Sequence, residues 1–360
     1  MSYLARLTDE AAKVSFSQDE LTYYARHLLL PSVGTVGQQK LKCARVLVVG
    51  AGGLGCPVLQ ALAGAGVGHL TVIDGDKVAL SNISRQWLHR VGDVARNKAE
   101  SAAEKLREHN PFIHVESLAD MLDSQNVETL IESHDLVIDA TDDLEVRYLI
   151  DEVCAARDKP WVHAALYRES AQLCVFWGQY GARFNQLFPE RSEAPSCAGA
   201  GMLGAVASVT ANLQAVEAIK LIVGNGTPKV GEVVNVHAAN LQIQVFRLPG
   251  VTVPPVYESA SLAAHSMSIE SLKQARSIGE TIRIVDLRSP SVGSLVAIPS
   301  AEMVAAEAFL EKGLLQLGAQ KVLLVCEFGS VSNLLADALR SRGHEQVFHL
   351  EGGYDEAAFN

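Results

Sequence analysis

The chain has 360 residues, 48% of them hydrophobic and 20% charged, which is material enough for two buried cores. Its 30 Lys and Arg against 41 Asp and Glu give a formal net charge of −11, which excludes non-specific nucleic-acid binding, a property that needs a cationic surface. No apolar run reaches membrane-spanning length, Asp9 and Glu10 stand where an export signal would be apolar, and the six cysteines form no CxxC pair. These features together predict a cytoplasmic protein with reduced thiols.

In chain order, residues 18–42 begin as a helix that Gly34 and Gly37 are expected to break. Apolar runs and amphipathic stretches then alternate: strand 46–49, helix 54–66, strand 70–73, a polar segment to about 96, helix 97–109, strand 112–117, a helix near 124–133 and strand 135–139. Residues 161–177 read as further β-structure, and "MLGAVASVTANLQAVEAIKLIVGNG" as a long helix closed by Gly224 and Gly226. The alternation predicts an α/β fold with a Rossmann-like doubly wound sheet. Residues 249–267, with Pro249, Pro254 and Pro255 and no periodicity, read as a linker. A second small α/β pattern follows: helix 268–276, strands 282–286 and 321–325, helix 331–342 and strand 346–350. The expected division is therefore 1–248, linker 249–267 and 268–360.

The chemistry concentrates in "VVGAGGLGCPV" and in the stretch C-terminal to it as far as "DATDD". Gly50 permits the tight strand–helix turn, Gly52 and Gly53 let backbone N–H groups approach a phosphate, and Gly55 allows close helix packing. Asp74 ends the second strand, where a carboxylate accepts hydrogen bonds from ribose hydroxyls. "SNISRQ" then supplies Ser81, Asn82 and Arg85, and "RNK" supplies Arg96 and Lys98; for Arg96 a phosphate role and a solvated surface charge are equally open. A dinucleotide needs one pyrophosphate cradle, whereas a triphosphate attacked at its α-phosphate needs these extra cations. "DATDD" places Asp139, Asp142 and Asp143 at the end of a parallel strand, a carboxylate cluster suited to Mg²⁺.

Gly-x-Gly-Gly-Leu-Gly-Cys, "DGD", "SNISRQ", Lys98, "DATDD" and Arg147, in this order, resemble the MoeB/ThiF family, the prokaryotic branch of the ubiquitin-activating-enzyme fold, over roughly 18–248. The resemblance implies ATP-dependent adenylation of the C-terminal glycine of a ubiquitin-like sulfur carrier ending in Gly-Gly, with a sulfur donor such as a cysteine desulfurase. It implies that Gly50, Gly52 and Gly53 contact ATP and Asp74 the ribose. Ser81, Asn82 and Arg85 would meet base and phosphates, Lys98 the phosphates, and Asp142 the metal with Asp143 beside it. Arg26 in "YYARHL" matches an arginine reaching in from a partner subunit, so a homodimer is expected. Cys197 in "PSCAGAG" matches a loop cysteine that forms a thioester or acyl-persulfide, the alternative being a small residue filling a tight loop.

The chain departs from the family pattern where two CxxC pairs usually hold zinc. Neither 181–188 nor 239–246 contains a cysteine, so no structural zinc and an apolar local packing are expected. Cys43, Cys56, Cys154 and Cys174 read as core. Residues 268–360 resemble a rhodanese-like domain on Asp286, Arg288, Glu351-Gly-Gly353 and the loop "CEFGSVS" opened by Cys326. Glu327 and Val331 stand where the family commonly has cations, and a carboxylate beside a thiol disfavours the thiolate. Cys326 is thus either a weak sulfur acceptor or part of a domain that only docks a partner. The competing functional readings are a dehydratase or cyclase adenylating a small-molecule or tRNA-bound carboxylate, a nicotinamide oxidoreductase, and an inactive scaffold.

Overall fold

The computed structural model describes residues 3–28, 30, 32–189, 201–252, 265–288, 298–306, 309, 320–327, 329–340 and 343–354. Cys197 and most of the 249–267 segment lie outside the described residues. Eight strands form the first sheet: β1 (Arg45–Val49), β2 (His69–Ile73), β3 (His114–Leu118), β4 (Leu136–Asp139), β5 (Trp161–Tyr167), β6 (Ser170–Phe176), β7 (Glu232–His237) and β8 (Gln242–Arg247). Their order is β3-β2-β1-β4-β5-β6-β7-β8. The first five run parallel, and β6 to β8 continue the sheet antiparallel.

The inner parallel strands β1, β2 and β4 are near-continuous apolar runs, as strands covered on both faces are, while the edge strand β3 (HVESL) is not. Val46, Leu47, Val48, Leu70, Leu136 and Ile138 are all fully buried. The order reverses between β1 and β4, the crevice where open α/β sheets take ligands. The helix Gly204–Val223 is long and apolar enough to cross a membrane, but it packs on β5, β6 and the helix Gly55–Ala65. Gly224, with φ +76°, ends it as expected.

The predicted elements from 46 to 176 appear within two or three residues of their expected limits. Gly37 does not break the helix before β1: Gly34 (φ +57°) opens a helix, Gly34–Cys43, that runs through Gly37. Interior glycine costs a helix only about 1 kcal/mol, which the neighbouring residues absorb.

The second sheet is wholly parallel, in the order β11 (Glu302–Met303), β10 (Ile282–Asp286), β12 (Lys321–Val325), β13 (Val347–Leu350), β9 (Ser266–Met267). The chain forms two compact units, residues 1–14 with 39–257, and residues 15–38 with 258–360. The second unit thus takes in the helices Gln18–Tyr23 and Ala25–Leu28, which the linear division placed with the first. The reason is apolar: Ala25 belongs to the same buried cluster as Val285, Leu287, Phe309, Leu324 and Leu335.

Candidate active site

The turn after β1 is as tight as its glycines allow. Gly50 has φ +99°, and a Cβ there would lie 2.7 Å from the Ala140 carbonyl oxygen at the end of β4. A Cβ on Gly55 would lie 2.0 Å from Gly50 O. Gly52 and Gly53 have no such backbone neighbours, so their space opens toward the crevice. Among the described residues no side chain caps the helix Gly55–Ala65, which leaves its N-terminal N–H groups and positive dipole end for an anion.

The acid of β2 braces this turn. Asp74 Oδ2 accepts the Ala51 N–H at 2.7 Å and Oδ1 the Asp76 N–H at 2.8 Å. A carboxylate has about four acceptor sites, so ribose hydroxyls still find lone pairs. Asn97 caps the next helix by accepting the Glu100 N–H (3.0 Å), and its amide donates to Asp74 O (2.8 Å). That ties the helix Lys98–His109 to the end of β2 and delivers Lys98, a buried lysine whose Nζ donates to Asp76 Oδ2 at 2.8 Å. Arg85 lies on the other side, its Cγ 3.8 Å from where a Gly53 Cβ would stand, with Nη1 donating to Ser81 O at 2.9 Å. Asn82 Oδ1 accepts the Ala79 N–H, and Ser81 is exposed. Pairwise contacts thus link these residues near the C-terminal ends of β1, β2 and β4: Gly50 to Ala140, Gly53 to Arg85, Asp74 to Ala51 and Lys98 to Asp76.

The carboxylate cluster expected of "DATDD" is not formed. Asp139 is fully buried and bound to Arg147 and His163, and Asp143 caps the helix Leu144–Ala156 through the Glu145 and Val146 N–H groups. Only the exposed Asp142 carboxylate has no partner among the described residues. Among them, no group of three or more His, Cys, Asp or Glu could hold a metal unaided. This still fits Mg²⁺, which takes one or two carboxylates and completes its shell with phosphate oxygens and water. Arg96 pairs with Asp93 and Glu104, so it serves the surface rather than the crevice.

Three residues of this site escaped the sequence reading. His89 Nε2–H donates to Ala51 O (3.0 Å), and its Nδ1 meets Ser101 Oγ (3.0 Å). Burial pushes its imidazole below its ordinary value, so the ring is a neutral strut under the glycine turn. Gln86, beside Gly52, keeps a buried Oε1 with no partner. His163 lies beneath Asp139.

Where the family's zinc would sit, 181–188 packs as expected: Phe184 is fully buried against Tyr148, Trp161, Phe176 and Phe188. The 239–246 side does not. Leu241, Ile243, Val245 and Phe246 are all exposed on or beside β8.

In the second unit Cys326 follows β12 and is buried, with Sγ accepting the Ser332 N–H at 3.2 Å. The loop closes through Gly329 (φ +79°) against Gly353, and the Tyr354 N–H donates to Cys326 O. Arg288 does not lend its charge to the thiol: it is spent on Asp286 (Nη2–Oδ2 2.8 Å) and stacks over Tyr354 at 3.8 Å. Arg26 is exposed on the helix Ala25–Leu28 of this unit. Burial pushes the thiols of Cys154 and Cys174 up, and Cys56 to about 12, in keeping with core positions.

Fold and crevice together define a nucleotide-binding α/β protein whose glycine turn is flanked by cations. A ThiF family model matches residues 24–252 and a rhodanese-like domain model residues 268–358. The chain belongs to the ThiF family, with a rhodanese-like domain behind it. It is 34% identical to the probable adenylyltransferase/sulfurtransferase MoeZ of Mycobacterium tuberculosis, over 94% of this chain and 93% of that protein. It is 41% identical to the sulfur carrier protein adenylyltransferase of Thermus thermophilus, over 60% of this chain and 83% of that one. A crystal structure of E. coli MccB with ATP shares the fold (TM-score 0.55, 22% identity, 69% of this chain and 79% of that chain).

Proposed function

We propose that this chain is an ATP-dependent adenylyltransferase for the C-terminal glycine of a ubiquitin-like sulfur carrier ending in Gly-Gly, working as a homodimer in the cytoplasm. One arrangement supports the reading: the glycine turn, Asp74, Arg85, Lys98 and the Asp142 turn follow one another by contact near the β1/β4 switch point, which is more cationic equipment than a dinucleotide needs. The names of the relatives in Mycobacterium and Thermus support the carrier as substrate.

In this reading the N–H groups at Gly52 and Gly53 and the uncapped helix hold phosphate, while Asp74 accepts the ribose hydroxyls. Ser81 and Asn82 line the base side. The carrier's carboxylate oxygen attacks the α-phosphorus, and the bond to the α–β bridging oxygen breaks. The products are an acyl-adenylate and pyrophosphate. Arg85 and Lys98 neutralise charge that grows on the phosphates, and Arg26 adds a cation from the partner subunit. Asp142 would hold Mg²⁺ beside Asp143, and the ion would offset charge on the departing pyrophosphate.

Sulfur then arrives from a donor such as a cysteine desulfurase, with Cys197 as the thiol meeting the activated carrier. Cys326 opens the corresponding loop of the second unit, its Sγ accepting the Ser332 N–H. ATP–pyrophosphate exchange with and without carriers ending in Gly-Gly tests the proposal. Carrier-dependent exchange is expected; exchange driven only by a small carboxylate would shift the assignment to the dehydratase or cyclase class.

A further inference from the structure

Beneath the turn that carries Asp142 lies a closed polar network with no direct part in phosphate binding. Asp139 Oδ2 accepts from Arg147 Nε (3.0 Å) and His163 Nδ1 (2.7 Å), and its Oδ1 from the Thr141 N–H (3.1 Å). Gln214 Nε2 donates to Asp139 O at 2.7 Å. Arg147 reaches past Asp139, with Nη2 donating to Thr141 O at 2.6 Å and Ala164 O at 3.3 Å. Thr141 Oγ1 accepts the Asp143 N–H at 3.1 Å. Asp142 is thus flanked on one side by a residue tied at both its N–H and its C=O, and on the other by a tied N–H and a helix cap.

His163 is the costly member. It is 0% exposed, walled by the rings of Trp161, Phe176 and Phe184, and its Nε2 has no partner among the described residues. Burial lowers its pKa despite Asp139, because a protonated ring would bury a second cation beside Arg147. With Nδ1–H given to Asp139, the neutral ring leaves one buried lone pair unsatisfied. Packing alone would favour an apolar residue here.

We propose that His163 and Arg147 are positioning residues that lock the Asp139 carboxylate and, through it and the Thr141 carbonyl, fix Asp142 for the metal-bound phosphates of ATP. This rests on the adenylation reading above. His163 supplies a neutral donor that leaves the Asp139–Arg147 pair electrically balanced, and Arg147 supplies the fork that a lysine lacks.

The test compares His163→Leu, His163→Asn, Arg147→Lys and Asp142→Ala in the full chain. Calorimetry measures ATP binding with Mg²⁺ and with EDTA, alongside exchange kinetics and urea unfolding. His163→Leu removes the donor, whereas His163→Asn places an amide N–H near the Nδ1 position. Loss of a group that orients a metal ligand costs about 10–100-fold in metal affinity or activity. His163→Leu and Arg147→Lys are therefore expected to cut the Mg²⁺-dependent gain in ATP affinity and the exchange kcat by about tenfold or more. ATP binding in EDTA should stay within about twofold, with His163→Asn recovering most of the loss. If His163→Leu does not fold, Arg147→Lys and His163→Asn decide on the same readouts. Equal losses with and without Mg²⁺, or no rescue by Asn, would overturn the positioning role. The two levels separate cleanly: absence of carrier-dependent exchange in the wild-type chain overturns the adenylation reading, whereas exchange that survives Asp142→Ala, or is harmed by Asp142→Ala alone, leaves adenylation standing and overturns only this inference.

Discussion

Replacing Gly50 by alanine tests the turn on which the crevice is built. At φ +99° an L-residue is strained, and the new methyl would lie 2.7 Å from Ala140 O and 3.0 Å from Ala140 C. Neither atom belongs to a flexible side chain. Both are backbone at the end of β4, which pairs with β1 from Val46↔Leu136 to Val49↔Asp139, so relief requires shifting two central strands. Left-handed strain of about 1–2 kcal/mol and overpacking of about 1–3 kcal/mol give an expected destabilisation of roughly 2–5 kcal/mol. Gly52→Ala is the control: its Cβ meets nothing closer than Gln86 Nε2 at 3.5 Å, and its φ is not positive. That variant should change stability by less than about 0.5 kcal/mol while weakening ATP binding by about tenfold, because the methyl occupies phosphate space. Urea unfolding and calorimetric ATP titration measure both. A Gly50→Ala protein within about 0.5 kcal/mol of wild type, or a Gly52→Ala protein equally destabilised, would refute the assignment of separate roles to the two glycines.

Lys98→Met should lower carrier-dependent exchange by about 10²–10³-fold with little change in unfolding, and near-normal exchange would remove Lys98 from the phosphate site. In the second unit, burial pushes the Asp337 carboxyl from its ordinary 3.8 up to about 6. The folded state therefore binds the extra proton between those values, so this group's contribution to stability is greatest below about pH 4, declines as pH rises to about 6 and is then flat. Asp337→Asn should flatten that decline and raise the melting temperature at pH 7; an unchanged pH profile would contradict it. Finally, Cys56, Cys154 and Cys174 should resist iodoacetamide in the folded protein and react once urea exposes them. Early alkylation at any of the three, seen by peptide mass mapping, would count against the core assignment.

What was readable in the chain is what sits close together in it. β1, β2 and β4 are apolar runs punctuated by glycine or acid, Gly50 and Asp74 directly follow β1 and β2, and Lys98 opens the next helix. β7 and β8 were not foreseen, because "QIQVFR" is exposed on both faces and carries no inward period. The buried histidines escaped for another reason. His163 and Asp139 are 24 residues apart, and His89 and Ala51 are 38 apart, so only the closed sheet brings them together. "DATDD" misled in the opposite way: β4, buried at every position, ends on Asp139, while Asp142 lies in the turn beyond it and is exposed, although the letters look equivalent.

The second unit is assembled from segments that the entire sequence of residues 39–257 separates. During synthesis the helix Ala25–Leu28 leaves the ribosome long before Val285, Phe309 and Leu335 exist to cover Ala25. That helix must wait, unburied, until nearly all the polypeptide is made. A cut in the 249–267 segment would leave that helix joined by the chain to residues 39–257 while its apolar face stays in the core of the second unit, so scission of one peptide bond cannot part the two units without baring an apolar surface.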